Sequence, residues 1–217
     1  ARGVSAVDGH FYDSTGGQAI RVGNLAEAEA LPGRHNYQNA AAAYAACQAL
    51  GVAPGRIMAA MRTFPGLPHR MERVGDVGGG RFVNDSKATN AQAAEQALKT
   101  WSKVHWIAGG VPKAEGSKPL EPWYNRIEQA YLIGESADDF AKTLGGKVKA
   151  VKCGTLEAAT QAAFDAAKAA GDPNPIVLLS PACASFDQYK DFEARRDAFR
   201  EIVQHLAAQT EPQKEAG

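Results

Sequence analysis

From Arg81 onward, short apolar runs alternate with helix-length amphipathic ones, and this alternation limits the possible fold more than any single motif. Runs at 81–84, 104–108, 130–133, 148–151 and 176–179 read as strands. Between and after them, 91–100, 123–129, 136–144, 155–170 and 191–206 read as helices, the fourth capped by Thr155. Strand and helix alternating at least four times predict an α/β fold, a doubly wound, mostly parallel sheet with helices on both faces. Parallel strands end along one edge. The segments Asp85-Ser86-Lys87, Gly109-Gly110, Gly134-Glu135 and Ser180-Pro181 therefore gather there, where open α/β sheets bind ligands.

The first third of the chain differs. Residues 1–34 are glycine-rich, with alternating pieces at 4–7 and 10–12, which suggest small strands without a core of their own, in a domain that begins before residue 1. Residues 39–50 read as an alanine-rich helix ended by Gly51, and a second helix starts at Ala53-Pro54 with Ile57, Met61 and Phe64 on its apolar face. Pro65-Gly66-Leu67-Pro68 then marks a boundary between a small α+β part, 1–66, and the α/β domain, 67–217. It is also where a hinge would fall.

Several function classes drop out. Lysine plus arginine and aspartate plus glutamate number 24 each, so nothing suggests a nucleic-acid footprint. Cys47, Cys153 and Cys183 are scattered without metal-ligand or CxxC spacing, as in a cytoplasmic protein with reduced thiols. No apolar run is long enough to cross a bilayer. No zinc spacing, nucleophile elbow, G-x-x-x-x-G-K-[ST] loop or dinucleotide fingerprint is present. The polar tail 207–217, with Pro212, is expected to fray.

Residues able to do chemistry cluster in the loop after 84, which offers an anion, Asp85, a cation, Lys87, and two hydroxyls, Ser86 and Thr89. The plain alternative is a solvated loop capping the next helix. His69 and Arg70 are either ligand contacts or linker charges. Asn36 and Asn39 are by default caps of the first helix. Lys113, just past two glycines at a strand end, suits an anion. Phe192 is most simply a core residue, and Cys183 a small buried thiol rather than a nucleophile.

Taken together, Leu31 to Ala40, Thr63 to Arg70, Asn84 to Asn90, Trp106 to Gly110 and Leu178 to Asp187 resemble the Mur ligases, in family order. The pieces Asp85 to Thr89 and Ser180 to Asp187 resemble the branch that adds D-glutamate. The resemblance implies a cytoplasmic, monomeric ATP- and Mg2+-dependent ligase acting on ATP, D-glutamate and UDP-N-acetylmuramoyl-L-alanine, with neither nucleic acid nor membrane as partner. It assigns Asn36, Asn39, His69, Arg70 and Asp85 to the nucleotide, and Lys87 with His69 to the reacting centre. Thr89, Lys113, Ser185, Phe186 and Phe192 are assigned to D-glutamate. Val111 stands where the family often has an acidic residue. The phosphate loop, the magnesium ligands and a UDP-sugar domain have no counterpart, so the chain is expected to be the C-terminal half of a longer ligase, inactive alone. Rival readings are a binding module without turnover and another ligase of the Mur or folylpolyglutamate type.

Overall fold

A computed structural model describes residues 3–210, in two units, Ala1–Gly66 and Leu67–Gly217. In the first, β1 (Val4–Val7), β2 (His10–Asp13) and β3 (Ile20–Asn24) pair antiparallel in that order. The strand β3 escapes a sequence reading because Gly23 and Asn24 break its alternation. The helices α1 (Arg34–Ala49) and α2 (Pro54–Arg62) join the sheet around Phe11, Leu25, Tyr44, Ile57 and Met58. These small strands thus share a core with the helices that follow them. Gly33 caps α1, five residues earlier than expected, so Asn36 and Asn39 lie within the helix. Phe64, expected on the buried face of α2, is exposed, and Met58 fills that face instead.

The second unit begins with the hairpin β4 (Glu72–Val77) and β5 (Gly80–Asn84). It continues with α3 (Ala91–Thr100), β6 (Val104–Gly109), β7 (Ile127–Ile133), α4 (Ala137–Leu144), β8 (Ala150–Gly154), α5 (Leu156–Ala169), β9 (Ile176–Leu179) and α6 (Phe192–Thr210). Strand order is β4-β5-β9-β6-β7-β8, parallel throughout except for β4. Thr155 and Asn90 accept hydrogen bonds from helix-start amides as N-caps, satisfying donors that the first turn leaves free.

Each face of the sheet has its own core. Trp106, Leu132 and Leu178 pack with Leu98 of α3 and with Phe140 and Leu144 of α4; Phe82, Ile107 and Val177 pack with Phe164 of α5 and Phe199 of α6. Two spans differ from expectation. Lys118–Arg126 is 3₁₀ rather than α-helical, with Pro119 near its start and Pro122 inside it, residues that cannot donate to an α ladder. The chain is then already extended at Ile127, and β8 lies two to three residues later than the 148–151 run. Helix α6 continues through Thr210, so 207–210 do not fray, and 211–217 lie outside the described residues.

Candidate active site

The carboxyl ends of β5, β9, β6 and β7 lie side by side, and the loops leaving them are laced together by backbone hydrogen bonds. Asp85 N donates to Leu179 O at 2.7 Å, Ser180 N to Ile107 O at 3.3 Å, and Gly109 N to Pro181 O at 2.9 Å. Val111 and Ala184 exchange two bonds of 2.9 Å. The Val111 backbone thus fastens the segment leading to Lys113 beside the one carrying Ser185.

Asp85 sits almost fully buried at the start of this edge. Its Oδ2 accepts from Ser180 Oγ at 2.8 Å and its Oδ1 from Met71 N at 3.3 Å. Each oxygen keeps a lone pair, so a further donor can still be accepted. Burial pushes the Asp85 carboxyl up to about 7, against the pull of Ser180, Met71 and Arg70. Arg70 is exposed and Lys87 half-buried. The Lys87 ammonium lies 5.2 Å from the centre of the Phe192 ring.

His69, with φ of 57°, packs edge-on against the same ring at 5.0 Å. Its Nδ1 lies 3.3 Å from Arg196 Nη1. A guanidinium can only donate, so Nδ1 accepts and the ring proton sits on Nε2. Burial, then the charges of Lys87 and Arg196, hold His69 below its ordinary pKa.

A pH effect follows. The folded protein keeps the Asp85 proton between about pH 4 and 7, where the unfolded chain has lost it, so stability falls as pH rises through that window. His69 and His105, lowered chiefly by burial, work the other way: the stability they lend is present above pH 6.5 and lost as pH falls below it. Comparison with Asp85→Asn isolates the carboxyl. Relative to the variant, the wild-type chain should lose roughly 4 kcal/mol between pH 4 and 8, at about 1.4 kcal/mol for each pH unit across which only the folded chain holds the proton. Urea unfolding followed by tryptophan fluorescence measures this, since Trp101, Trp106 and Trp123 all lie in the second unit. A pH-independent gap between the two proteins would refute the assignment.

The other candidates fall in two groups. Thr89 is half-buried beside Asn90, and Asn90 lines a cavity of about 590 Å³ together with Gln92, Glu95 and Lys113. Ser185 is buried, and its hydroxyl has no partner among the described residues. Phe186 is exposed, and Phe192 is half-buried at the start of α6 rather than in the core. Lys87, Thr89, Lys113, Ser185, Phe186 and Phe192 thus belong to segments that gather at one sheet edge. Asn36 and Asn39 lie in the first unit, where Asn36 Nδ2 donates to Pro32 O at 2.6 Å and Asn39 Nδ2 to Asn36 Oδ1 at 3.4 Å.

Two residues are missing from the sequence candidates, Arg195 and Ser180, the latter present there only as part of the segment leaving 176–179. Arg195 is 1% exposed, and burial pulls its pKa down to about 10. Its signal was present: it sits on the apolar stripe of α6 between Phe192 and Phe199, where a charge is out of place. Cys183 is buried, with its thiol pushed up to about 11, which makes it a poor nucleophile. Among the described residues no three His, Cys, Asp or Glu side chains converge as a metal cage. No helix among them is long and apolar enough to cross a membrane.

The strand ends of this mostly parallel sheet carry the acid, lysine and serine set. The chain belongs to the Mur ligase family, and the family described as "Mur ligase, glutamate ligase domain" matches residues 69–183. The UDP-N-acetylmuramoylalanine--D-glutamate ligase of Caulobacter vibrioides (strain NA1000 / CB15N) is 56% identical over 207 residues, covering 95% of this chain and 44% of that protein. The enzyme of the same name from Rhodospirillum rubrum is 54% identical over 208 residues, 94% of this chain and 43% of that protein. The chain therefore spans less than half the length of these relatives. MurF from Acinetobacter baumannii shares the fold at a TM-score of 0.59 and 19% identity, over 91% of this chain and 44% of that one. A pseudomurein peptide ligase type C from Methanothermus fervidus does so at 0.55 and 20%, over 93% and 41%.

Proposed function

We propose that the chain forms the amino-acid-binding part, and a share of the nucleotide-binding part, of a cytoplasmic, monomeric ATP-dependent ligase. The ligase joins D-glutamate to UDP-N-acetylmuramoyl-L-alanine in peptidoglycan precursor synthesis. The observation that carries this reading is the 56% identity to a ligase of that name, over an aligned stretch long enough to take in every segment of the site.

The chemistry fits the residues. A carboxylate is a poor electrophile, and transfer of a phosphoryl group from ATP turns one of its oxygens into a leaving group. The D-glutamate amine, having lost a proton, then attacks the acyl carbon, and phosphate departs as the amide forms. Asp85 accepts from the ribose, with Arg70, His69, Asn36 and Asn39 serving the nucleotide. Lys87 offsets charge on the transferring phosphate. Lys113, Thr89 and the Ser185 hydroxyl, unpartnered among the described residues, suit the two carboxylates of D-glutamate, with Phe186 and the Phe192 ring closing the seat. The described residues do not supply a magnesium cage.

Protein expressed from the complete reading frame encoding this chain, given ATP and UDP-N-acetylmuramoyl-L-alanine, should release phosphate only when D-glutamate is added. Equal release with L-lysine or diaminopimelate would overturn the assignment.

A further inference from the structure

Arg195 is the most deeply buried cation among the described residues, and no carboxylate lies within ion-pair distance of it there. A buried charge without a counter-ion is expensive, and an apolar residue at this place on α6 would pack at lower cost. What the guanidinium does instead is bridge two loops. Nε donates to Ser86 Oγ at 3.0 Å, and Nη2 donates to Ser86 O at 2.9 Å and to Cys183 O at 3.0 Å. Ser86 Oγ in turn donates to Phe192 O at 2.9 Å, closing a ring of bonds between the β5 loop, the β9 loop and the start of α6.

The residues tied down are sequence neighbours of the seat residues on two loops and one helix start. Ser86 precedes Lys87 and lies three residues before Thr89; Cys183 lies two residues before Ser185; Phe192 begins the helix that holds Arg195. A lysine cannot reproduce the bridge, because a single ammonium lacks the planar fork that reaches two loops at once. Nη1 has no partner among the described residues, so the group is held by one edge of the fork alone.

We infer that Arg195 is a positioning residue for the amino-acid seat: by fastening Ser86 to Cys183 and Phe192 it sets the spacing of Lys87 and Thr89 against Ser185, and so governs the grip on D-glutamate rather than on the nucleotide. The inference rests on the ligase reading above. The nucleotide residues Asp85 and His69 adjoin the bridged segments but have anchors of their own, to Ser180, Met71, Glu72 and Arg196, which do not pass through Arg195.

Steady-state phosphate release by Arg195→Lys and Arg195→Gln, in protein from the complete reading frame, tests it. Misplacement by about 1 Å can cost about 100-fold in an oriented reaction. Both variants should therefore show KM for D-glutamate raised about 10-fold or more, with KM for ATP within about threefold of wild type. If both KM values rise together, or neither moves, Arg195 is a general core tie and the inference is overturned. Should the variants fail to fold, Ser86→Ala removes one strut only. It should raise the same KM about 2–5-fold, and an unchanged value would again overturn the inference. Wild-type protein that needs no D-glutamate would sink the ligase reading and this one together, and would do so before any variant is made.

Discussion

In protein from the complete reading frame, Lys87→Ala should lower phosphate release about 100-fold or more while leaving the thermal midpoint within about 3 °C of wild type. The lysine is half-buried in the turn after β5, and its ammonium lies over the Phe192 ring beside His69. No carboxylate among the described residues neutralises it, so its charge is available to a transferring phosphoryl group. Fixed cations aimed at charge that develops in the transition state are worth about 100–1,000-fold each. A half-buried ammonium that faces a ring and pairs with no carboxylate among the described residues contributes little to folding, which is why activity and stability should separate. Turnover within about threefold of wild type would refute the role. A binding module without ATP turnover would have no activity to lose.

The second large effect is on folding. Gly109→Ala should destabilise the second unit by about 4 kcal/mol or more, enough to leave the variant mostly unfolded or insoluble. At Gly109, φ is 128°, and an added Cβ would stand 2.0 Å from Ile133 O and 2.9 Å from its carbonyl carbon. Both are backbone atoms at the end of β7, which pairs with β6 and has no rotamer through which to yield. Gly146→Ala is the control: its φ of 77° is also positive, but nothing lies within 4 Å, so strain alone should cost about 1 kcal/mol. Urea unfolding of the two variants decides it. Equal losses would show that the β6 and β7 ends tolerate more separation than their register implies.

Much of this architecture is legible in the chain. The wholly apolar run at 176–179 reads as a buried strand, and it takes a central place in the sheet, between β5 and β6. Asn90 and Thr155 signal helix starts because their side chains satisfy amides that the helix leaves free. Edges were harder to read. β8 is exposed along most of its length, so its side chains carry little apolar pattern, and the buried Val148 drew the reading two to three residues early. The span before β7 has the composition of a helix, but two prolines hold it in 3₁₀ form. In the site, the segments after the strands were identifiable because parallel topology gathers them. The linkage of Asp85 to Ser180 was not, since those residues are 95 positions apart. Arg195 was hidden for another reason: arginine is ordinarily read as a solvent-facing residue, and only its spacing from Phe192 and Phe199 marks it as buried.

The order of the strands has a consequence for synthesis. β9 lies between β5 and β6, yet it follows every other strand in the chain. While the ribosome is still extending the nascent polypeptide, β5 and β6 each present an unpaired parallel edge, and the two halves of the sheet cannot dock. Such long-range pairings are slow and leave apolar surface uncovered meanwhile. Asp85 and Gly109 are fastened to the same segment, at Leu179 and Pro181, only once β9 has inserted, so a half-made polypeptide has no competent seat and leaves its strand edges open to wrong pairing until translation has passed that strand.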